Sequence, residues 1–231
     1  PTVKVIGLLG GIASGKSFVA ELFRQRGAVV LDGDRAGHEV LHDKEVKQAV
    51  RQRWGAGVFG PDGEIDRRAL AKQVFVPRAA MREAPAEATT PTSEISRPES
   101  ATVSNPAAKN APGELEYLEQ LTHPRIAAKL AQQVQAAVES GAPAVVVDAA
   151  VMIKAGWDAL CDTIVFVEAP REVRLQRARQ RGWTEEEFTR REAAQESLDE
   201  KRARADVTID NAGLPAETAA QLDRFWQALH G

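Results

Sequence analysis

Val3-Lys4-Val5-Ile6-Gly7-Leu8-Leu9-Gly10-Gly11-Ile12-Ala13-Ser14-Gly15-Lys16-Ser17 decides the fold, because it joins a short apolar strand to the helical pattern Ser17 to Arg26 through a glycine-rich turn. The turn from Gly10 to Ser17 satisfies G-x-x-x-x-G-K-[ST], the phosphate-binding loop, in the strand-to-helix context that loop requires. Glycines let the backbone curl until its N–H groups point inward at phosphate oxygens, and the helix N-terminus adds a partial positive charge. Gly11, Ile12, Ala13, Ser14, Gly15, Lys16, Ser17 and Phe18 are therefore expected to hold ATP, with Lys16 reaching the β- and γ-phosphates. The Ser17 hydroxyl is of the kind that ligates a magnesium ion bridging those phosphates, so Mg2+ is expected with the nucleotide.

Outward from this unit, short β-branched runs recur between amphipathic stretches: Ala28 to Leu31, Ala144 to Val147, Thr163 to Val167 and Val207 to Ile209. Near-continuous apolarity suits strands buried on both faces, and helices between them imply a mostly parallel α/β sheet. A long helical excursion separates the second run from the third, with helices expected over Asp43 to Trp54, Asp66 to Phe75 and Pro124 to Ser140. Within it, residues 77–113 are rich in Pro, Ala, Ser, Thr, Glu and Asn, lack aliphatic periodicity, and read as a disordered surface insertion. After the fourth run, Pro170 to Arg181 and Thr184 to Arg204 read as highly charged helices carrying many arginines with acids between them. Such a helix is ordinarily a solvated face; behind a phosphate loop it also reads as a source of phosphate-neutralising cations.

Bulk properties exclude several classes. The 231 residues carry a net charge of only -3, so the basic surplus that drives nucleic-acid binding is lacking and any anion site is local. Cys161 is the single cysteine, which excludes an intramolecular disulfide and a multi-cysteine zinc site and fits a reducing compartment. No apolar run approaches the roughly 20 residues of a membrane helix, and the sequence enters its first strand without a leader-like segment. A cytoplasmic protein is expected, bound to neither nucleic acid nor membrane, as a monomer or weak homo-oligomer.

Leu31-Asp32-Gly33-Asp34 follows the second strand, which in a parallel sheet sets both acids at the carboxyl edge with the phosphate loop. Asp34, or less readily Asp32, could take a proton from an acceptor hydroxyl. Either could instead cap the next helix, Arg35 to Leu41. Asp148 ends the third strand, where a carboxylate either meets magnesium or its water shell or forms a turn.

Together with the loop and Leu31 to Asp34, the stretches Gly63-Glu64-Ile65-Asp66-Arg67, Val74-Phe75, His123-Pro124-Arg125-Ile126, Ala155-Gly156-Trp157, Cys161-Asp162, Ala194-Gln195, Lys201, Ala205-Asp206 and Ile209-Asp210-Asn211-Ala212-Gly213 resemble the dephospho-coenzyme A kinase family in kind and order. The likeness spans nearly everything except 77–113. It implies a three-layer P-loop kinase fold in one domain: a core of 1–34, 141–170 and 205–231, a helical substrate-binding part of 35–140, and an arginine-bearing lid of 171–204. The implied reaction is ATP-dependent phosphorylation of the ribose 3'-hydroxyl of dephospho-coenzyme A. Another nucleoside or nucleotide kinase, or a non-catalytic nucleotide-binding module, are the competing readings.

By the same resemblance Asp34 matches the family's catalytic base, assisted by Lys16, Arg177 and Arg181, with Arg174 or Arg191 as further phosphate contacts. Asp34, Asp66, Arg67 and His123 fall in the acceptor region, although His123 equally reads as a packed residue before Pro124. Asn211 and Gly213 match the stretch beside the adenine ring, and also a strand-to-helix turn before Pro215. Three positions depart from the family pattern: Leu9 and Phe18, where threonine is usual, and Lys154, where an acid is usual.

Overall fold

The computed structural model describes residues 3–75 and 113–231. Nearly all of the expected insertion at 77–113 therefore lies outside the described residues. Five strands form one sheet in the order β2-β3-β1-β4-β5, and every neighbouring pair is parallel. They are β1 (Lys4–Gly10), β2 (Val29–Asp32), β3 (Ala144–Asp148), β4 (Thr163–Glu168) and β5 (Val207–Asp210). All five expected strands are present, shifted by a residue at most ends.

The centre of the sheet explains the apolar runs. Ile6 and Leu8 of β1 project to one face, where α1 (Lys16–Gln25) and α9 (Pro215–His230) cover them with Val19, Phe23, Leu222, Phe225 and Trp226. Phe23 meets Phe225 edge-on at 6.1 Å between ring centroids. Gly7 alternates to the other face; a Cβ there would come within 2.8 Å of Met152 Sδ and 3.0 Å of Cys161 Sγ. Cys161 is thus a packing residue, and burial, reinforced by Asp158 and Asp162, pushes its thiol up to about 12.

Register at the amino edge is set by one device used twice. Asp162 N donates to Val5 O at 2.8 Å while Val5 N donates to Asp162 Oδ2 at 2.7 Å. Asp206 N donates to Ile164 O at 2.9 Å while Ile164 N donates to Asp206 Oδ2 at 2.7 Å. Each aspartate ties the strand it precedes to its neighbour, which accounts structurally for two of the acids shared with the family.

The chain divides into two compact units, residues 1–40 with 123–231, and residues 41–122. The first holds the sheet, α2 (Gly33–Val40), α6 (Arg171–Gln180), α7 (Glu185–Ala193) and α8 (Leu198–Ala203). The second holds α3 (Lys44–Trp54), a 3-10 turn at Ala56–Val58, a Phe59–Ile65 bridge and α4 (Arg67–Val74). Its Glu64 accepts from Lys47 Nζ at 2.8 Å and pairs with His42 Nδ1 at 2.6 Å. The boundary falls inside α5 (Glu114–Glu139).

One helix expectation is corrected. α5 begins ten residues before Pro124, which sits inside the helix instead of opening it. Tertiary contacts outweigh the lost amide: Glu114 accepts from Trp54 Nε1 at 2.7 Å and Arg53 Nη2 at 2.8 Å, and Tyr117 stacks edge-on against Trp54. The stretch Thr184 to Arg204 is two helices, each with its own cap. Thr184 Oγ1 accepts from Glu187 N at 3.1 Å and Ser197 Oγ from Asp199 N at 3.2 Å. No described helix is long and apolar enough to cross a membrane.

Candidate active site

In a parallel sheet, ligands sit beyond the carboxyl ends of the strands where the strand order switches. Here β1 leads to α1 and on to β2, but β3 lies between β1 and β2, so the crevice opens above β1 and β3. The glycine-rich turn fills it. Ser14 N closes back on Gly11 O at 3.1 Å, Ala13 is left-handed with φ 58°, and Gly15 follows with φ 96°. Gly15 then caps α1 without a side chain, which leaves the first amides of that helix to an anion.

The loop is held from outside by four side chains. Asn211 Nδ2 and Arg177 Nη1 both donate to Ser14 O, at 2.8 and 3.0 Å. Arg177 Nη2 also donates to Asn211 O at 2.6 Å, and Thr218 Oγ1 donates to Asn211 Oδ1 at 2.9 Å. Gln195 Oε1 accepts from Ile12 N at 3.0 Å. Arg174, 3% exposed, pairs with Glu192 at 2.7 Å and donates to Ala169 O at 3.1 Å, with its guanidinium against the loop at Ile12 O. Space is fully used: a Cβ on Gly15 would lie 2.0 Å from Asn211 Nδ2.

These contacts locate the sequence candidates. Arg177 lies on the loop, and its guanidinium is held below the ordinary arginine range by burial and by the like charge of Arg181. Arg181 is exposed and has no ion-pair partner among the described residues. Asn211 braces the loop through its side chain, while Gly213 is exposed in the turn before Pro215. Gln195 and Arg174 as loop braces were not legible from the sequence, since nothing in a charged helical stretch marks which polar side chain turns inward.

Lys16 Nζ donates to Asp148 Oδ1, so the two expected phosphate-site residues meet directly. Asp148 is in register with Leu8 of β1 and with Asp32 of β2. Asp32 caps α2, its Oδ1 accepting from Arg35 N at 2.9 Å. Asp34 is therefore freed from capping: it lies in the first turn of α2, exposed, and its carboxylate has no hydrogen bond or ion pair among the described residues. Beside it a Cβ on Gly33 would touch Ala149 and Trp157, and the Trp157 ring packs edge-on against His123 at 5.6 Å. His123 thus packs on Trp157, one ring removed from the start of α2.

In the second unit Asp66 caps α4, its Oδ1 accepting from Arg68 N at 2.8 Å and Ala69 N at 3.1 Å. Those two amides hold its carboxyl below the usual range. Arg67 is exposed on the first turn of that helix. Of the departures from the family pattern, Leu9 is buried in β1, Phe18 is 37% exposed on α1, and Lys154 is exposed.

Among the described residues no three metal-ligating side chains cluster. A magnesium ion needs no such cage. It keeps several waters and binds through one or two carboxylates plus substrate phosphates. Asp148 at the crevice and Ser17 in the first turn of α1 fit that habit.

A phosphate loop closing on a helix N-terminus, above a 2-3-1-4-5 parallel sheet with an arginine helix after β4, defines a P-loop kinase. The dephospho-CoA kinase family model matches residues 4–92 and 107–217, and the chain belongs to that family. A dephospho-CoA kinase of Symbiobacterium thermophilum is 35% identical over 231 residues, covering 99% of this chain and 82% of the relative. Another, of Geobacter metallireducens, is 35% identical over 225 residues, covering 96% and 95%. A solved Thermus thermophilus structure superposes with TM-score 0.71 at 29% identity, over the whole of both chains. The solved dephospho-CoA kinase of Campylobacter jejuni, 19% identical, shares the fold with TM-score 0.57 over 99% of this chain and 98% of its own.

Proposed function

We propose that this kinase transfers the γ-phosphoryl group of ATP to the ribose 3'-hydroxyl of dephospho-CoA, giving CoA and ADP. The observation that carries the reading is the pairing of a braced phosphate loop with a carboxylate, Asp34, that has no partner among the described residues, at the same sheet edge. The loop amides, Lys16 and Phe18 bind the nucleotide, with Asn211 and Gly213 beside its base. Arg177 and Arg181 neutralise its phosphates. Asp34 accepts the proton of the attacking hydroxyl as oxygen bonds to the γ-phosphorus and the bond to the β–γ bridging oxygen breaks. Ser17 and Asp148 would hold Mg2+, which when bound spreads the negative charge on the phosphates.

Residues 171–204 serve as the lid and 35–140, including Asp66, Arg67 and His123, as the acceptor-binding part of one functional domain. For Asp66 the proposed contact is additional to its capping bonds, which engage only Oδ1. A cytoplasmic address and a monomer or weak homo-oligomer complete the proposal. The test is to incubate purified protein with ATP, Mg2+ and dephospho-CoA and to follow ADP and CoA, with nucleosides and nucleoside monophosphates as competing acceptors. Equimolar ADP and CoA, with the other acceptors slow, is the expected outcome. Preferential turnover of a nucleoside monophosphate would reassign the acceptor, and no ADP with any of them would remove the kinase reading.

A further inference from the structure

Gln195, Leu198 and Lys201 recur at a spacing of three and turn one face of α8 and its lead-in toward the phosphate loop. Gln195 takes the Ile12 amide, and Leu198 Cδ2 would lie 2.9 Å from a Cβ on Gly11. Lys201, one turn further, is 1% exposed, the most deeply buried cation described. Its one ionic partner among the described residues is Glu196 Oε2 at 4.0 Å, beyond hydrogen-bond reach, and that oxygen is itself buried without a hydrogen bond.

A lysine ammonium carries three donors, and burying one that is short of acceptors is costly. Such a group persists where a ligand supplies the missing acceptors. Burial draws the Lys201 ammonium below the usual lysine range; Glu196 opposes this and the nearby like charge of Lys16 adds to it. Two lysines that repel one another beside a phosphate loop are both stabilised by one polyanion.

We propose that Lys201 is a second phosphate-binding cation of the nucleotide site, donating to a β- or γ-phosphate oxygen beside Lys16, with Glu196 as its counter-charge. The proposal rests on the ATP reading above. Its ligand is a nucleoside diphosphate or triphosphate; adenosine alone offers Lys201 nothing.

Calorimetric titration of adenosine, AMP and ADP into wild type, Lys201→Met, and Lys201→Met with Glu196→Gln separates the cases. The double variant leaves no orphaned carboxylate. ADP affinity should fall about ten- to a hundredfold in both variants, the range for a lost charge-assisted bond, while adenosine binds within about twofold of wild type. Lys201→Arg should recover part of the loss. If ADP and adenosine affinities fell equally, or neither fell, Lys201 would be a structural ion pair and the proposal would be overturned. If wild type bound ADP no better than adenosine, the ATP reading would fall first. Should the variants not fold, the Lys201 side-chain nitrogen resonance of wild type serves instead: a shift with ADP and none with adenosine supports the contact, and no shift with ADP overturns it.

Discussion

The phosphate loop and the start of α2 lie at the same edge of the sheet but are built in opposite ways. Gly10 to Ser17 is held by Asn211, Arg177, Gln195 and Arg174, and it carries the strain of two left-handed positions, Ala13 and Gly15, on either side of Ser14. The Asp34 carboxylate is exposed and has no partner among the described residues, while nearby Asp32 does the capping. The difference separates two kinds of demand. Phosphate recognition needs backbone amides fixed in advance, because preorganised dipoles cost no reorganisation when charge develops. A base must reach an acceptor that arrives separately, so a carboxylate already tied to the protein would be a poor one.

On the loop side, the largest effect that could break this contrast belongs to Lys16→Ala. Turnover should fall on the order of a hundred- to a thousandfold, with ATP affinity falling too, in calorimetry and steady-state kinetics. An unchanged ATP affinity would mean the loop does not use its lysine for binding. Next is Gly15→Ala, which asks a Cβ to occupy the position of Asn211 Nδ2 at φ 96°. Unfolding should show a loss of about 1–2 kcal/mol from the left-handed backbone alone, and ATP binding should weaken as Asn211 is displaced. A stable variant with full ATP affinity would show that the brace is dispensable.

Asp66→Ala sharpens the contrast from the acceptor side with a smaller effect. The Asp66 carboxyl is held below its ordinary value, so its stabilisation is complete above about pH 4 and is lost as pH falls through the lowered value. The variant should therefore be less stable than wild type at neutral pH, with the gap in melting temperature closing on acidification. A rise in KM for dephospho-CoA beyond that loss of stability would support the proposed acceptor contact. An unchanged KM would leave Asp66 as a cap alone.

The core was legible because buried parallel strands are continuous apolar runs, and Val145, Val146 and Val147 admit little else. The loop was legible because its chemistry needs a fixed spacing. Pro124 misled because proline usually opens a helix, whereas α5 recruits Trp54 and Arg53 contacts distant in sequence. Division of labour between Asp32 and Asp34 was not readable, since both precede the same helical pattern and only the backbone fixes which carboxylate meets Arg35 N. Charge composition concealed the interior of 171–204, where Arg174 and Lys201 are buried among residues that read as a solvated face.

The central claim is that Asp34 acts on the acceptor and not on the nucleotide. Rapid-quench single-turnover rates with dephospho-CoA, measured with ATP affinity for Asp34→Asn and for Asp32→Asn, test it directly. Asparagine caps about as well as aspartate, so Asp32→Asn should stay near wild type. Asp34→Asn should slow phosphoryl transfer about a hundred- to ten-thousandfold with ATP affinity within about twofold of wild type. A wild-type transfer rate in Asp34→Asn, or a loss of ATP affinity large enough to explain its slowing, would contradict the account.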